Sequence, residues 1–253
     1  MHRAVFASLA ALTFASSAWA AGNPLDDPTL AGKGRYDRCL SLVDRNPRAA
    51  YEAATAWQKD TGGAPAEHCA ALALVGLKRY PEAAARLDDI GRQPSAGDYV
   101  MRAQIMDQAG NAWLLAGKGD NAAASFTHAL SYSINDPDIL TDRAQARALN
   151  HDWAGAEADL TSALGVYPTR ADLFVLRASA RHALGRKTEA RSDIERALQL
   201  KPSDPDAILE RGNMKYEDGD AAGARADWQQ AATIAPNSEA GDTARQRLDD
   251  TKP

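Results

Sequence analysis

The chain has 253 residues, of which 54 are alanine, while valine and isoleucine together number only 13. That ratio argues against a β-rich fold, because strands favour β-branched and aromatic side chains whereas helices favour alanine. Hydrophobic residues at 45% and charged residues at 25% exclude wholesale disorder, and a formal charge of −5 speaks against nucleic acid as a ligand.

Residues 1–20 read as a secretory signal peptide. Met1-His2-Arg3 supplies the positive start, Ala4 to Phe14 an apolar run, and Ala18-Trp19-Ala20 a small-x-small cleavage site. The apolar run is shorter than the ~20 residues a membrane-spanning helix needs, which disfavours an anchor. The expected product is therefore exported and soluble, in the simplest case in a bacterial periplasm. A short linker, residues 21–32, would follow the cleavage point, and no later segment is apolar enough to span a membrane.

Helical spacing begins after the linker. Tyr36 to Trp57 reads as a short, divergent helix pair. His68 to Ile90, with Ala71, Leu74, Tyr80, Ala83 and Leu87, reads as a fuller one. Around Gly91 to Asp98 the spacing is about five residues too long, and then four regular copies run to the C-terminal end. Pro168, Pro202 and Pro236 recur at an offset of 34, as do Ala156, Ala190 and Ala224, and Ala163, Ala197 and Ala231. Bulky residues recur at Phe126, Leu160, Ile194 and Trp228, and small ones at Gly110, Ala144, Ala178 and Gly212. The copies are residues 103–136, 137–170, 171–204 and 205–238, and Glu239 to Leu248 would form a polar closing helix. Asp136-Pro137 and Asp204-Pro205 look like helix starts, with an acidic N-cap followed by a proline whose missing N–H costs nothing there.

These residues resemble the tetratricopeptide repeat, a 34-residue helix-turn-helix unit with small residues in both helices, a bulky one in the second and a closing proline. The resemblance implies an all-α, right-handed superhelical solenoid of antiparallel helix pairs. It would be a single domain over residues 33–250, with about six repeats, in an exported bacterial protein. A helix pair of this size cannot bury its own apolar stripe, so stacking on neighbours is compulsory.

Arg143, Arg177 and Arg211 recur in the first helices, and Asp159, Asp193 and Asp227 in the second; the third repeat has Ala109 and Ser125 instead. Loss of both charges together points to an Arg–Asp ion pair between helices, within a repeat or between neighbours, rather than to an anion-binding ladder. A second basic set, Arg147, Arg181 and Lys215, is expected to be exposed. Cys39 and Cys69 fall in first helices of neighbouring repeats, and export to an oxidising space makes a disulfide the expected state, the alternative being two buried thiols. A metal site built on His68, Cys69 and Cys39 lacks the usual four-ligand spacing.

No nucleophile elbow, phosphate-binding glycine loop or zinc-protease motif is present in the sequence, so neither enzyme activity nor a cofactor is expected. Glu217, Asp218 and Asp220 around Gly219 do not match a calcium loop and read as a solvated corner. The tryptophans read as packing anchors. The family resemblance implies an inner face lined by first-helix side chains. It would carry Gln104, Asp107, Asn111, Asp138, Thr141, Asp142, Gln145, Asp172, Ser179, His182, Asp206, Glu210, Asn213, Tyr216 and Glu217. Such a polar, acid-leaning face suits an extended or basic segment of another exported protein, which would make the chain an interaction scaffold. The alternative is an accessory subunit working at peptidoglycan or polysaccharide.

Overall fold

A computed structural model describes residues 31–60 and 62–251; the expected signal peptide and nearly all of the linker lie outside them. Thirteen α-helices, one short 3-10 turn and no strand make up the described residues. In order they are α1 (Ala31–Val43), α2 (Pro47–Asp60), α3 (Gly63–Gly76), α4 (Tyr80–Arg92), α5 (Tyr99–Leu115), α6 (Gly119–Tyr132), α7 (Pro137–Leu149), α8 (Trp153–Val166), α9 (Ala171–Ala183), α10 (Lys187–Leu200), α11 (Pro205–Glu217), α12 (Ala221–Ile234) and α13 (Glu239–Asp250). The odd-numbered helices from α1 to α11 are the first helices of six pairs, and α13 runs past Leu248, where the sequence pattern places its end. The fold is an all-α helical repeat.

One turn is used five times. Gly117, His151, Gly185 and Gly219 each take a left-handed backbone conformation, with φ of 67°, 61°, 77° and 87° respectively. The following residue donates its N–H to the carbonyl five positions back, Lys118 to Trp113, Asp152 to Arg147, Arg186 to Arg181 and Asp220 to Lys215, at 2.8–2.9 Å. Lys78 and Arg79 repeat the arrangement, with Arg79 bonded to Leu74. This is the Schellman ending, which satisfies otherwise orphaned carbonyls and reverses the chain into the next helix. Glycine suits the left-handed position because it carries no Cβ; His151 occupies the same position with a side chain.

The described residues form two compact units, 31–146 and 147–251. In the first, α1 and α2 pack on α3, and α3, α4, α5 and α6 pack in succession. Its core joins Tyr36, Cys39, Leu87, Ile90 and Ile105, with a second cluster around Met106, Phe126 and Ile139. A Cβ at Gly110 would lie 2.5 Å from the Phe126 ring, so a glycine in α5 is what admits the bulky residue of α6. The additional residues before the third repeat become the 3-10 turn Pro94–Ala96 and a further turn at the start of α5, capped by Asp98, whose carboxylate accepts from the Met101 N–H at 2.9 Å. Cys39 and Cys69 form a disulfide with Cα atoms 6.2 Å apart, joining α1 to α3.

In the second unit, α8 packs on α9, α9 on α10, α11 on α12, and α12 on α13. Val175, Ala178, Ala190, Ile194 and Ala197 fill one cluster, and Ile208, Leu209, Ala224, Trp228, Ala240 and Ala244 the next. Alanines at the helix crossings are fully buried, so the high alanine content sits where backbones approach most closely. Asp204 caps α11 by accepting from the Asp206 and Ala207 N–H groups, both at 3.1 Å.

Candidate partner-binding face

The basic and acidic side chains first decide what remains accessible on the first helices. In the second unit Arg177 meets Asp193 in a two-pronged contact of 2.9 and 2.7 Å, and Arg211 meets Asp227 with the same two distances. Both join the two helices of one repeat. The second basic set is not exposed in the manner the sequence suggests. Arg181 reaches Asp193 at 2.8 Å, Lys215 reaches Asp227 at 2.8 Å, and Arg147 reaches Asp159 at 2.7 Å. The reason is helical spacing: residues four apart lie on one face, so both cations of α9 reach Asp193 and both of α11 reach Asp227. Burial alone would raise the Asp227 carboxyl, but Arg211 and Lys215 outweigh it and hold the carboxyl below its usual range. In the first unit Arg143 donates to the Thr127 hydroxyl at 3.2 Å. Arg177 makes the equivalent contact with Thr161 at 3.3 Å.

The third repeat, which lacks the arginine and aspartate of the template, uses different chemistry. Asp88 of α4 is buried, and accepts the Trp113 indole N–H at 2.8 Å and the Ser125 hydroxyl at 2.7 Å. Further towards the N-terminus, Tyr36, His68 and Gln108 form a line across α1, α3 and α5. Tyr36 Oη lies 2.6 Å from His68 Nδ1, and His68 Nε2 lies 2.6 Å from Gln108 Oε1. Burial lowers the imidazole pKa, so the ring is neutral, donating to Gln108 and accepting from Tyr36. Neither group has a counterpart at an offset of 34, and repeat alignment therefore missed both.

Among the positions expected on the inner face, α5 and α7 bring Asp107, Asn111, Asp142 and Gln145 together. The Asn111 amide nitrogen lies 3.4 Å from an oxygen of Asp107 and 3.4 Å from one of Asp142, and Gln145 reaches Asp142 at 3.5 Å. Burial, and then the charges of Asp142, Asp136 and Asp138, push the Asp107 carboxyl well above its usual range. Asp138 lies in the first turn of α7. Thr141, by contrast, is buried and returns its hydroxyl to the Pro137 carbonyl at 2.7 Å.

In the second unit, α9 and α11 bring His182, Glu210, Asn213 and Glu217 into one neighbourhood. His182 Nε2 contacts Glu217 at 2.9 Å, and Lys187 contacts the same oxygen at 2.9 Å. Glu210 is only 6% exposed, and burial raises its carboxyl pKa to about 7 despite the pull of His182 and a hydrogen bond from Asn213. Asn213 also accepts the Trp228 indole N–H at 3.1 Å. Tyr216 is about half exposed at 48%. Ser179 is half-buried with its hydroxyl turned to the Val175 carbonyl, Asp172 is clasped by Arg170, and burial raises the Asp206 carboxyl. The corner at Gly219 is occupied by structural contacts: Asp220 caps α12 and Asp218 pairs with Arg191.

No protein-family model matches the chain, and no curated protein matches it in sequence. Solved structures do match it. The chain resembles the MamA fragment 41-end from Desulfovibrio magneticus RS-1 at 15% identity and a TM-score of 0.59, covering 69% of this chain and 96% of that one. It resembles YrrB, described as a TPR protein with an unusual peptide-binding site, at 17% identity and a TM-score of 0.54, covering 76% and 96%. It also resembles a chain of the APC/C hetero-tetramer Cut9–Hcn1 at 14% identity and a TM-score of 0.54, covering 87% and 46%. What these likenesses establish is the fold.

Proposed function

We propose that this chain, whose fold is that of tetratricopeptide-repeat proteins, is an exported, non-enzymatic scaffold that holds a segment of another protein along the inner positions of its first helices. The observation that carries the reading is the set of polar first-helix side chains that stay partly accessible, Asn111 and Gln145 in one unit, Ser179 and Tyr216 in the other. A solenoid's rows of first-helix side chains suit extended segments, with side-chain amides engaging backbone and an aromatic as an anchor. The peptide-binding site ascribed to YrrB supports the same use of the fold. Export is supported by the residue 1–20 pattern and by a disulfide, a bond that persists in oxidising compartments. No described helix is long and apolar enough to cross a membrane.

A photo-crosslinking residue placed in turn at Asn111, Gln145, Ser179 and Tyr216, with the exposed Glu195 of α10 as control, tests the reading in cells. The expected result is one partner protein attached from the first-helix positions and not from Glu195. Equal labelling from Glu195, or none from the first helices, would overturn it.

A further inference from the structure

Two guanidinium groups share one carboxylate at the start of α4. Arg86 donates through Nη2 to Glu82 Oε1 at 3.0 Å and to the Tyr51 hydroxyl at 3.4 Å. Arg79 meets the other oxygen of Glu82, again through Nη2. Both cations also lie against the Tyr51 ring of α2, with their Cζ atoms 5.9 and 5.8 Å from its centroid. Each fork thus spends only Nη2 on hydrogen bonds within the chain, and the side chains of Arg79 and Arg86 are 52% and 39% exposed. A guanidinium carries five donors suited to two-pronged contact with a carboxylate, so two forks around a single anion leave room for a second. The neighbouring charges do not fill it. Arg48 lies one helical turn before Tyr51 on the same face of α2, and Lys78 directly precedes Arg79. Both are exposed, and neither makes an ion pair among the described residues. Asp44 and Glu52, the nearest acids along the chain on either side of Arg48, pair with neither. Lys78 also holds φ at 59°, in the turn position where Gly117, Gly185 and Gly219 stand in other repeats. A left-handed backbone is unfavourable for a residue with a Cβ, and strained positions gather at functional sites. The anion already seated between the two forks is a side-chain carboxylate, one oxygen to each arginine, which sets the geometry for that group.

We propose that Arg79 and Arg86, flanked by Lys78 and Arg48, form a docking site for an acidic segment of a partner protein, whose carboxylates take the guanidinium donors that Glu82 leaves unused. Tyr51 holds both forks in place. Helices α2 and α4 and the turn before α4 supply every group, so the site is complete within the unit of residues 31–146. It uses none of the first-helix positions and therefore goes beyond the scaffold reading.

The probes are two blocked synthetic peptides of equal length, alternating alanine with glutamate or glutamine, titrated into the intact protein by calorimetry at physiological salt. Vesicles of phosphatidylcholine with phosphatidylglycerol serve as a third. The glutamate peptide is expected to bind roughly tenfold more tightly than the glutamine peptide, and the preference to shrink as salt is raised. Arg79→Gln with Arg86→Gln is expected to abolish the preference. Arg48→Gln with Lys78→Gln, which breaks no ion pair within the chain, is expected to weaken it severalfold. Arg196→Gln, at an exposed arginine of α10, should leave it unchanged. Glu82→Gln removes the competing carboxylate and is expected to tighten the glutamate peptide severalfold. Equal binding of the two peptides, a preference that survives Arg79→Gln with Arg86→Gln, an equal loss from Arg196→Gln, or a weakening on Glu82→Gln would each overturn the proposal. Vesicle binding that depends on Arg79 and Arg86, without a glutamate preference, would overturn it in favour of a membrane surface. In-cell crosslinks from Asn111 and Gln145 report on the first helices, so the scaffold reading stands or falls separately.

Discussion

Asp193 receives two arginines at once: the fork of Arg177 at 2.7 and 2.9 Å and one arm of Arg181 at 2.8 Å. The side chains of Arg177 and Arg181 are only 13% and 16% exposed, whereas Arg211 and Lys215, around Asp227, are 37% and 35% exposed. Removing one partner of a buried pair strands the other charge, while an exposed pair is screened by water. Asp193→Asn should therefore lower stability by about 3 kcal/mol, and Asp227→Asn by clearly less. Urea unfolding of the two variants side by side checks this; equal losses would mean that the difference in exposure is immaterial.

Reduction of the disulfide should loosen the chain locally. Closing a loop of sequence separation 30 contributes on the order of 3 kcal/mol in the chain-entropy model. Cys39→Ser with Cys69→Ser is expected to lower the unfolding midpoint and to speed amide exchange first in α1 and α2. A thiol assay after denaturation without reductant should find no reactive thiol in the wild-type protein. Two reactive thiols would show that the bond does not form.

Glu210 should make stability depend on pH. Its carboxyl titrates at about 7 in the folded chain against an ordinary value of 4.5, because burial disfavours the charged form. The folded state holds this proton more tightly, so the penalty is absent below about pH 4.5, grows through the interval and is complete above about 7. The shift corresponds to roughly 3 kcal/mol. The groups acting on it are His182 of α9, Asn213 and Glu217 of α11, and Arg247 of α13. Glu210→Gln should stabilise the protein at about pH 8 and remove that part of the decline between about pH 5 and 8. Superimposable pH profiles for the two proteins would refute the assignment.

His151 offers a stabilising change. It holds φ at 61°, where the equivalent positions in three other repeats carry glycine. A left-handed backbone costs a residue with a Cβ roughly 1–2 kcal/mol, partly offset by glycine's greater freedom when unfolded. His151→Gly is expected to raise stability by about 0.5–1 kcal/mol in thermal unfolding, with the Asp152-to-Arg147 hydrogen bond retained.

What repeats in the chain is legible, whereas a contact that occurs once is legible only where the residue type announces it, as with Cys39 and Cys69. Pro168, Ala190 and Trp228 announce their helix ends and crossings because 34-residue periodicity reports them several times over. Asp88 is silent in that register, since its partners Trp113 and Ser125 stand in the third repeat where Arg147 and Asp159 stand in the fourth. His68 was legible only as a possible ligand beside Cys69, because hydrogen bonds to Tyr36 and Gln108, 32 and 40 residues away, leave no local trace. The acid-leaning face is an expectation from family resemblance, whereas the unbonded Oδ1 of Asp107 is a matter of side-chain placement, which no spacing rule contains. The exposure expected of Arg147, Arg181 and Lys215 failed for a reason that periodicity does hold, since residues four apart share a helical face.

The forked contacts between Arg177 and Asp193 and between Arg211 and Asp227 each span 16 residues. Both termini of each bond are therefore made by one continuous stretch of helix, turn and helix, and the entropy of bringing them together is that of a short loop. Folding of these repeats need not wait for distant chain to arrive. A hairpin of two helices can lock its own register as soon as it forms, and the slow, long-range search that limits many β-folds has no counterpart in this bond.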